Sequence, residues 1–127
     1  MSECSDARGG SVRIHNLYED ESGESHLRDI EIEWSDLTPV TSATSRMPAT
    51  SILFREYAET FDIGWHPAPC RQYVIVLDGD AEVTTSDEEA RIIKAGEVFL
   101  IEDVNGKGHS ARNLAGRPLH TVFVAIE

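Results

Sequence analysis

Two histidines lie in stretches whose composition suits chemistry. His66 sits in Gly64-Trp65-His66-Pro67-Ala68-Pro69-Cys70-Arg71-Gln72, and His109 in Gly106-Lys107-Gly108-His109-Ser110-Ala111-Arg112-Asn113. Imidazole binds divalent metals and exchanges protons near neutral pH. Alternate residues of an extended chain face the same way. His66, Ala68, Gln72, Val74 and Val76 therefore share one parity, and His109, Ala111 and Asn113 share another. Glu102 and Asp103 precede the second histidine, and a carboxyl drawn into an apolar mouth has its pKa raised and can act as a general base. Cys70 reads as a small apolar residue. Arg71, out of phase with His66, points outward to a salt bridge. No Gly-x-Ser-x-Gly and no phosphate-loop spacing occurs, so neither a serine triad nor a nucleotide loop is expected.

The elements that must position these groups are short strands. Ile30, Ile32 and Trp34 alternate with Asp29, Glu31 and Glu33, the period of a half-buried strand. Gln72–Leu77 is apolar and β-branched and stops at Asp78-Gly79, a hairpin signal that makes Ala81–Thr85 the return strand. Further strands are expected at Ile52–Tyr57, Ala90–Ile93, Glu97–Ile101 and Leu119–Ile126, with loops at Thr41–Ser51 and Thr60–Gly64. No helix of ten or more residues is expected. Short strands at this spacing imply an all-β sandwich or barrel. Val98-Phe99-Leu100-Ile101 is apolar on both faces, so one face lines the barrel and the other packs on a second sheet or subunit.

The chain has 127 residues, 40% of them hydrophobic, enough for one core. Residues 1–10 read as a flexible leader and 11–127 as a single domain. Eleven basic against 23 acidic residues leave a net charge of −12. Nucleic acid and anionic membrane need clustered Lys and Arg, so neither is an expected partner. The acidic N-terminus does not look like a signal peptide, and a cytoplasmic location is expected. Cys4 and Cys70 do not make a disulfide scaffold.

The two histidine stretches resemble the two motifs of the cupin superfamily. The first motif is His-x-His, three or four residues, Glu, six residues, Gly. Here His66 takes the first position, Ala68 stands for the second His, Gln72 stands for the Glu, and Gly79 closes the motif. In the second, Gly96, Gly108, His109 and Asn113 match in kind, while Glu102-Asp103 replaces the proline and the loop before His109 is longer. The resemblance spans roughly Ile52 to Ile126. It implies an all-β double-stranded β-helix, the jelly-roll barrel, with both motifs on adjacent strands and their ligands pointing inward.

That arrangement implies His66, Gln72 and His109 as ligands of a divalent metal: zinc, iron, nickel or manganese. The superfamily's usual set is three His and one Glu. An amide does less than a carboxylate to stabilise Fe(III), so the neutral set favours Lewis-acid chemistry over oxygen chemistry. The expected function is isomerase, cyclase or lyase chemistry on a small organic molecule, with Glu102 and His120 as candidates to move a proton. A dioxygenase using Fe(II) or nickel and a non-catalytic ligand-binding barrel stay open beside it. A homodimer is expected, with the segment around Val12–Tyr18 crossing to cover the partner's apolar face.

Overall fold

The computed structural model describes residues 10–127. The leader expected at 1–10 lies outside them, apart from Gly10. The described residues form twelve strands and no helix: β1 (Ser11–Glu19), β2 (Ser25–Glu33), β3 (Asp36–Leu37), β4 (Ser42–Ala43), β5 (Ser51–Tyr57), β6 (Asp62–His66), β7 (Gln72–Asp78), β8 (Ala81–Thr85), β9 (Ala90–Ile93), β10 (Val98–Ile101), β11 (His109–Asn113) and β12 (Leu119–Ala125).

A six-stranded sheet runs β2-β1-β10-β7-β12-β5 and a four-stranded sheet runs β6-β11-β8-β9. The β1–β10 pair is parallel, and the remaining pairs of both sheets are antiparallel. The inward faces meet in one core. Leu17, Leu27, Val74, Val76 and Phe123 come from the larger sheet, and Val83 and Ile93 from the smaller. Each such buried side chain contributes about 1.5–3 kcal/mol relative to exposure. In β10, Phe99 and Ile101 join this core while Leu100 is buried on the opposite face.

Two expectations change. Asp78-Gly79 does not close a hairpin, because β10 and β12 occupy both edges of β7. β8 has no edge to join there and pairs with β9 and β11 in the other sheet. Gly79 instead carries the chain from one sheet to the other at φ +75, where a Cβ would lie 2.9 Å from the Ala115 Cβ. Second, the loop expected at Thr60–Gly64 is largely strand: Asp62–His66 pairs with β11. The segment around Val12–Tyr18 forms β1. It lies in this chain's own sheet between β2 and β10. The outer apolar face of that sheet, including Val12, Ile14 and Tyr73, is flanked by residues 43–49 of the same chain.

Candidate functional site

A cavity of about 320 Å³ lies between the two sheets. β6 ends in His66 and β11 begins with His109, and the two residues are register partners across the β6–β11 pair. Their rings stand 4.7 Å apart between centroids, tilted by 50°. Gly108 makes this approach possible. Its φ is +79, and a Cβ there would sit 2.2 Å from the backbone carbonyl of His66. Only glycine lets the His109 strand lie that close to the His66 backbone.

Each ring is oriented from behind. The His66 Nδ1–H donates to the Gly64 carbonyl at 2.8 Å. The His109 Nδ1–H donates to Asp103 Oδ2 at 2.6 Å. Asp103 is 0% exposed, and its Oδ1 has no hydrogen-bond partner. In a neutral imidazole whose Nδ1 donates, Nε2 carries the lone pair. Both histidines line the cavity, so two oriented basic nitrogens belong to its wall. A carboxylate or carbonyl behind a histidine is the arrangement that fixes metal-binding imidazoles.

Gln72, at the start of β7, lines the same cavity and is 8% exposed. The Cys70 thiol, also on the cavity wall, donates to its Oε1 at 3.8 Å. The structure thus brings His66, Gln72 and His109 to one chamber, with Ala68 beside them. His66 and Gln72 do not share one strand as expected: Pro67–Arg71 separates β6 from β7, and the two residues reach the cavity from different sheets.

Glu102 and His120 are not brought there. Glu102 accepts two hydrogen bonds from Arg71, at 3.0 and 2.7 Å, and a third from Asn16 at 2.9 Å. The Glu102 carboxylate pushes the Arg71 pKa up, and neither residue lines the cavity. Arg71 does make the outward salt bridge expected of it. His120 is clamped between Glu56 at 2.8 Å and Asp78 at 2.9 Å, also off the cavity. Glu56 first, then Asp78, raises its pKa. Inward parity on β12 belongs to Leu119, Thr121 and Phe123.

Asn113 is structural: it donates to the Ala58 and Arg117 carbonyls and accepts from the Ala115 N–H. Tyr57 and Phe123 line the cavity, while Phe54, Trp65 and Tyr73 do not. Sequence reasoning missed Arg55 and Phe61, which both line it. Arg55 shares parity with Ser51, Leu53 and Tyr57 on β5, a signal that was there to use.

Two sheets enclose a cavity, and the two motif histidines pair across β6–β11 on its wall. The chain folds as an all-β barrel of two sheets. No protein-family model and no curated protein matches it. Solved structures are similar to it at low identity. A conserved protein of unknown function from Streptococcus pyogenes is 21% identical, covering 67% of this chain and 69% of its own, with a TM-score of 0.46. A cupin domain from Bordetella pertussis is 15% identical, covering 67% of this chain and 99% of its own, with a TM-score of 0.48. A cupin 2 conserved barrel domain protein from Leptotrichia buccalis is 17% identical, covering 73% of this chain and 44% of its own, with a TM-score of 0.49. Likeness at this level does not bear on activity. The barrel is assigned from its strand order and from where the motif residues lie. No helix among the described residues is long and apolar enough to cross a membrane.

Proposed function

We propose that this cupin barrel is a small-molecule enzyme whose cavity binds a divalent metal through His66, His109 and Gln72. The observation that carries the reading is the pair of imidazoles on one wall, each with Nδ1 held from behind by Asp103 or Gly64. Among the described residues no group of three or more His, Cys, Asp or Glu side chains has the arrangement of a metal site, so the reading depends on the Gln72 amide oxygen as third donor. Zinc, iron(II), nickel and manganese all accept such nitrogen and oxygen ligands. A metal held by three neutral donors would supply a Lewis acid with its full charge, able to polarise a carbonyl or hydroxyl.

This chain's own residues would do the rest. Asp103 holds the His109 ring in place and favours positive charge on its side of the cavity. Leu53, Phe99 and Phe123 keep the chamber largely apolar. With no carboxylate on the cavity wall and both of its histidines assigned to the metal, the Cys70 thiol and the Tyr57 hydroxyl are the groups available to move a proton. Isomerase, cyclase or lyase chemistry agrees with this set better than oxygenation does. The apolar outer face of the larger sheet agrees with a homodimer, and we place the protein in the cytoplasm.

Metal analysis of the untagged protein by mass spectrometry tests the reading. Near-stoichiometric metal is expected, lost in the His66→Ala/His109→Ala variant and retained in Glu102→Gln and His120→Gln. Folded wild-type protein free of metal after growth in zinc, manganese, nickel and iron, or a double variant that keeps its metal, overturns it. A metal-free result would favour a ligand-binding barrel, a reading that Ala68 on the cavity wall in place of a second motif histidine already supports.

A further inference from the structure

We propose that the cavity takes a small organic carboxylate and that Arg55 binds its carboxylate group. The inference rests on reading the cavity as a small-molecule site, and it names the substrate class. Arg55 lies on β5 and lines the cavity. Its guanidinium carbon stands 4.6 Å from the centroid of Phe123 and 6.0 Å from that of Tyr57, two other residues of the cavity wall.

Arg55 is distinguished by its place on the cavity wall, where no acid stands beside it. Arg71, Arg91 and Arg112 each contact a carboxylate at 2.6–2.7 Å. Among the described residues Arg55 has no such partner, and the cavity wall carries no Asp or Glu. Arg55 is exposed and its guanidinium lies on aromatic rings of the wall, so an anion entering the cavity can reach it. Stacking on an aromatic face leaves the N–H edge of the fork free, and that edge matches a carboxylate through two parallel hydrogen bonds. Arg55 is the sole Lys or Arg on the wall, which suits a monoanion rather than a phosphate dianion.

The register sets the scale. Phe123, under the guanidinium, is level with Val74, two residues from Gln72 on β7. That is roughly 7 Å of strand. An acid of one ring or a short carbon chain would reach from Arg55 toward the row of Gln72, carrying its far end toward the histidine pair. The apolar span between them is built from Leu53, Val74 and Phe99.

The test compares acids with their neutral amides on EDTA-treated protein by calorimetry. Benzoate is paired with benzamide and hexanoate with hexanamide. At least one acid should bind the wild type about tenfold more tightly than its amide, the scale of one charge-assisted interaction. The preference should persist in His66→Ala/His109→Ala, disappear in Arg55→Gln and partly return in Arg55→Lys. Equal binding of acid and amide, no binding of either acid, or a preference that survives Arg55→Gln overturns the proposal. A preference lost in the double histidine variant but kept in Arg55→Gln would move the anion to the imidazoles, overturning this inference and leaving the metal reading intact. A metal-free protein that still prefers acids through Arg55 would do the reverse.

Discussion

Replacing Gly108 with alanine should do more than an ordinary glycine substitution, and the structure says by how much. The residue has φ +79, a region that costs an L-residue about 1–2 kcal/mol. The new Cβ would also lie 2.2 Å from the carbonyl carbon and oxygen of His66 and 2.5 Å from the Pro67 nitrogen. All three are backbone atoms, so no side chain can swing aside. β6 must move off β11, and overpacking of this kind costs about 1–3 kcal/mol more. The expected loss for Gly108→Ala is therefore about 2–5 kcal/mol.

Gly116 supplies the control. Its φ is +72, but nothing lies within 4 Å of its would-be Cβ. Gly116→Ala should lose only the conformational part, about 1–2 kcal/mol. Urea unfolding followed by tryptophan fluorescence measures both, with the two variants compared at a common m value. Gly108→Ala should also lower metal affinity, because the displaced strand carries His109, whereas Gly116→Ala should not. Equal losses of stability in the two variants would refute the claim that backbone contact at Gly108 sets the spacing of the histidines.

Two other predictions follow from the groups behind and beside the site. Asp103→Asn should weaken metal binding by about 10–100-fold, the usual effect of removing a carboxylate behind a metal-bound histidine, and competition with a chelating dye reads it; unchanged affinity would mean that Asp103 only fills space. At the barrel end, His26 bridges Asp20 at 2.7 Å and Asp87 at 2.8 Å. Asp20 first, then Asp87, raises the His26 pKa above its ordinary 6.5, and His26 in turn holds the Asp20 carboxyl far below its ordinary 3.8. A raised histidine stabilises fully below 6.5 and loses that contribution as pH climbs through its folded value. A depressed carboxylate stabilises above 3.8 and loses it as pH falls. The difference in urea midpoint between wild type and His26→Gln should thus be largest between these limits and shrink as pH rises past 6.5. A difference that stays flat from about pH 5 to about pH 9 would count against it.

Most strands were legible because their signal is local. Alternation at Ile30 and Ile32 and the apolar run Gln72–Leu77 are properties of a few neighbouring residues, and the strands form where those patterns fall. So was the shared inward face of Gln72, Val74 and Val76, since the side-chain period along a strand is set by backbone geometry alone; that His66 joins Gln72 was decided by two different sheets meeting at one cavity. The Asp78-Gly79 turn misled for the opposite reason. A turn fixes the direction of the chain but not which edge the next strand joins, and both edges of β7 were filled by β10 and β12, which are distant in sequence.

The same division runs through the candidate site. Residue types and parity named three cavity groups, but they also admitted Glu102 and His120, whose partners Arg71, Asn16, Glu56 and Asp78 are brought up only by folding. By position Asp103 is only a carboxyl before His109. The tertiary structure buries it against the His109 Nδ1. Arg55 carried no motif, and the role proposed for it depends on Phe123 lying across the sheet and on a cavity wall without carboxylates. The sequence by itself therefore determined the all-β composition, the strand positions and the chemical types available. Which of those groups share one chamber, and which are neutralised on the outside, depended on long-range strand pairing that no local pattern encodes.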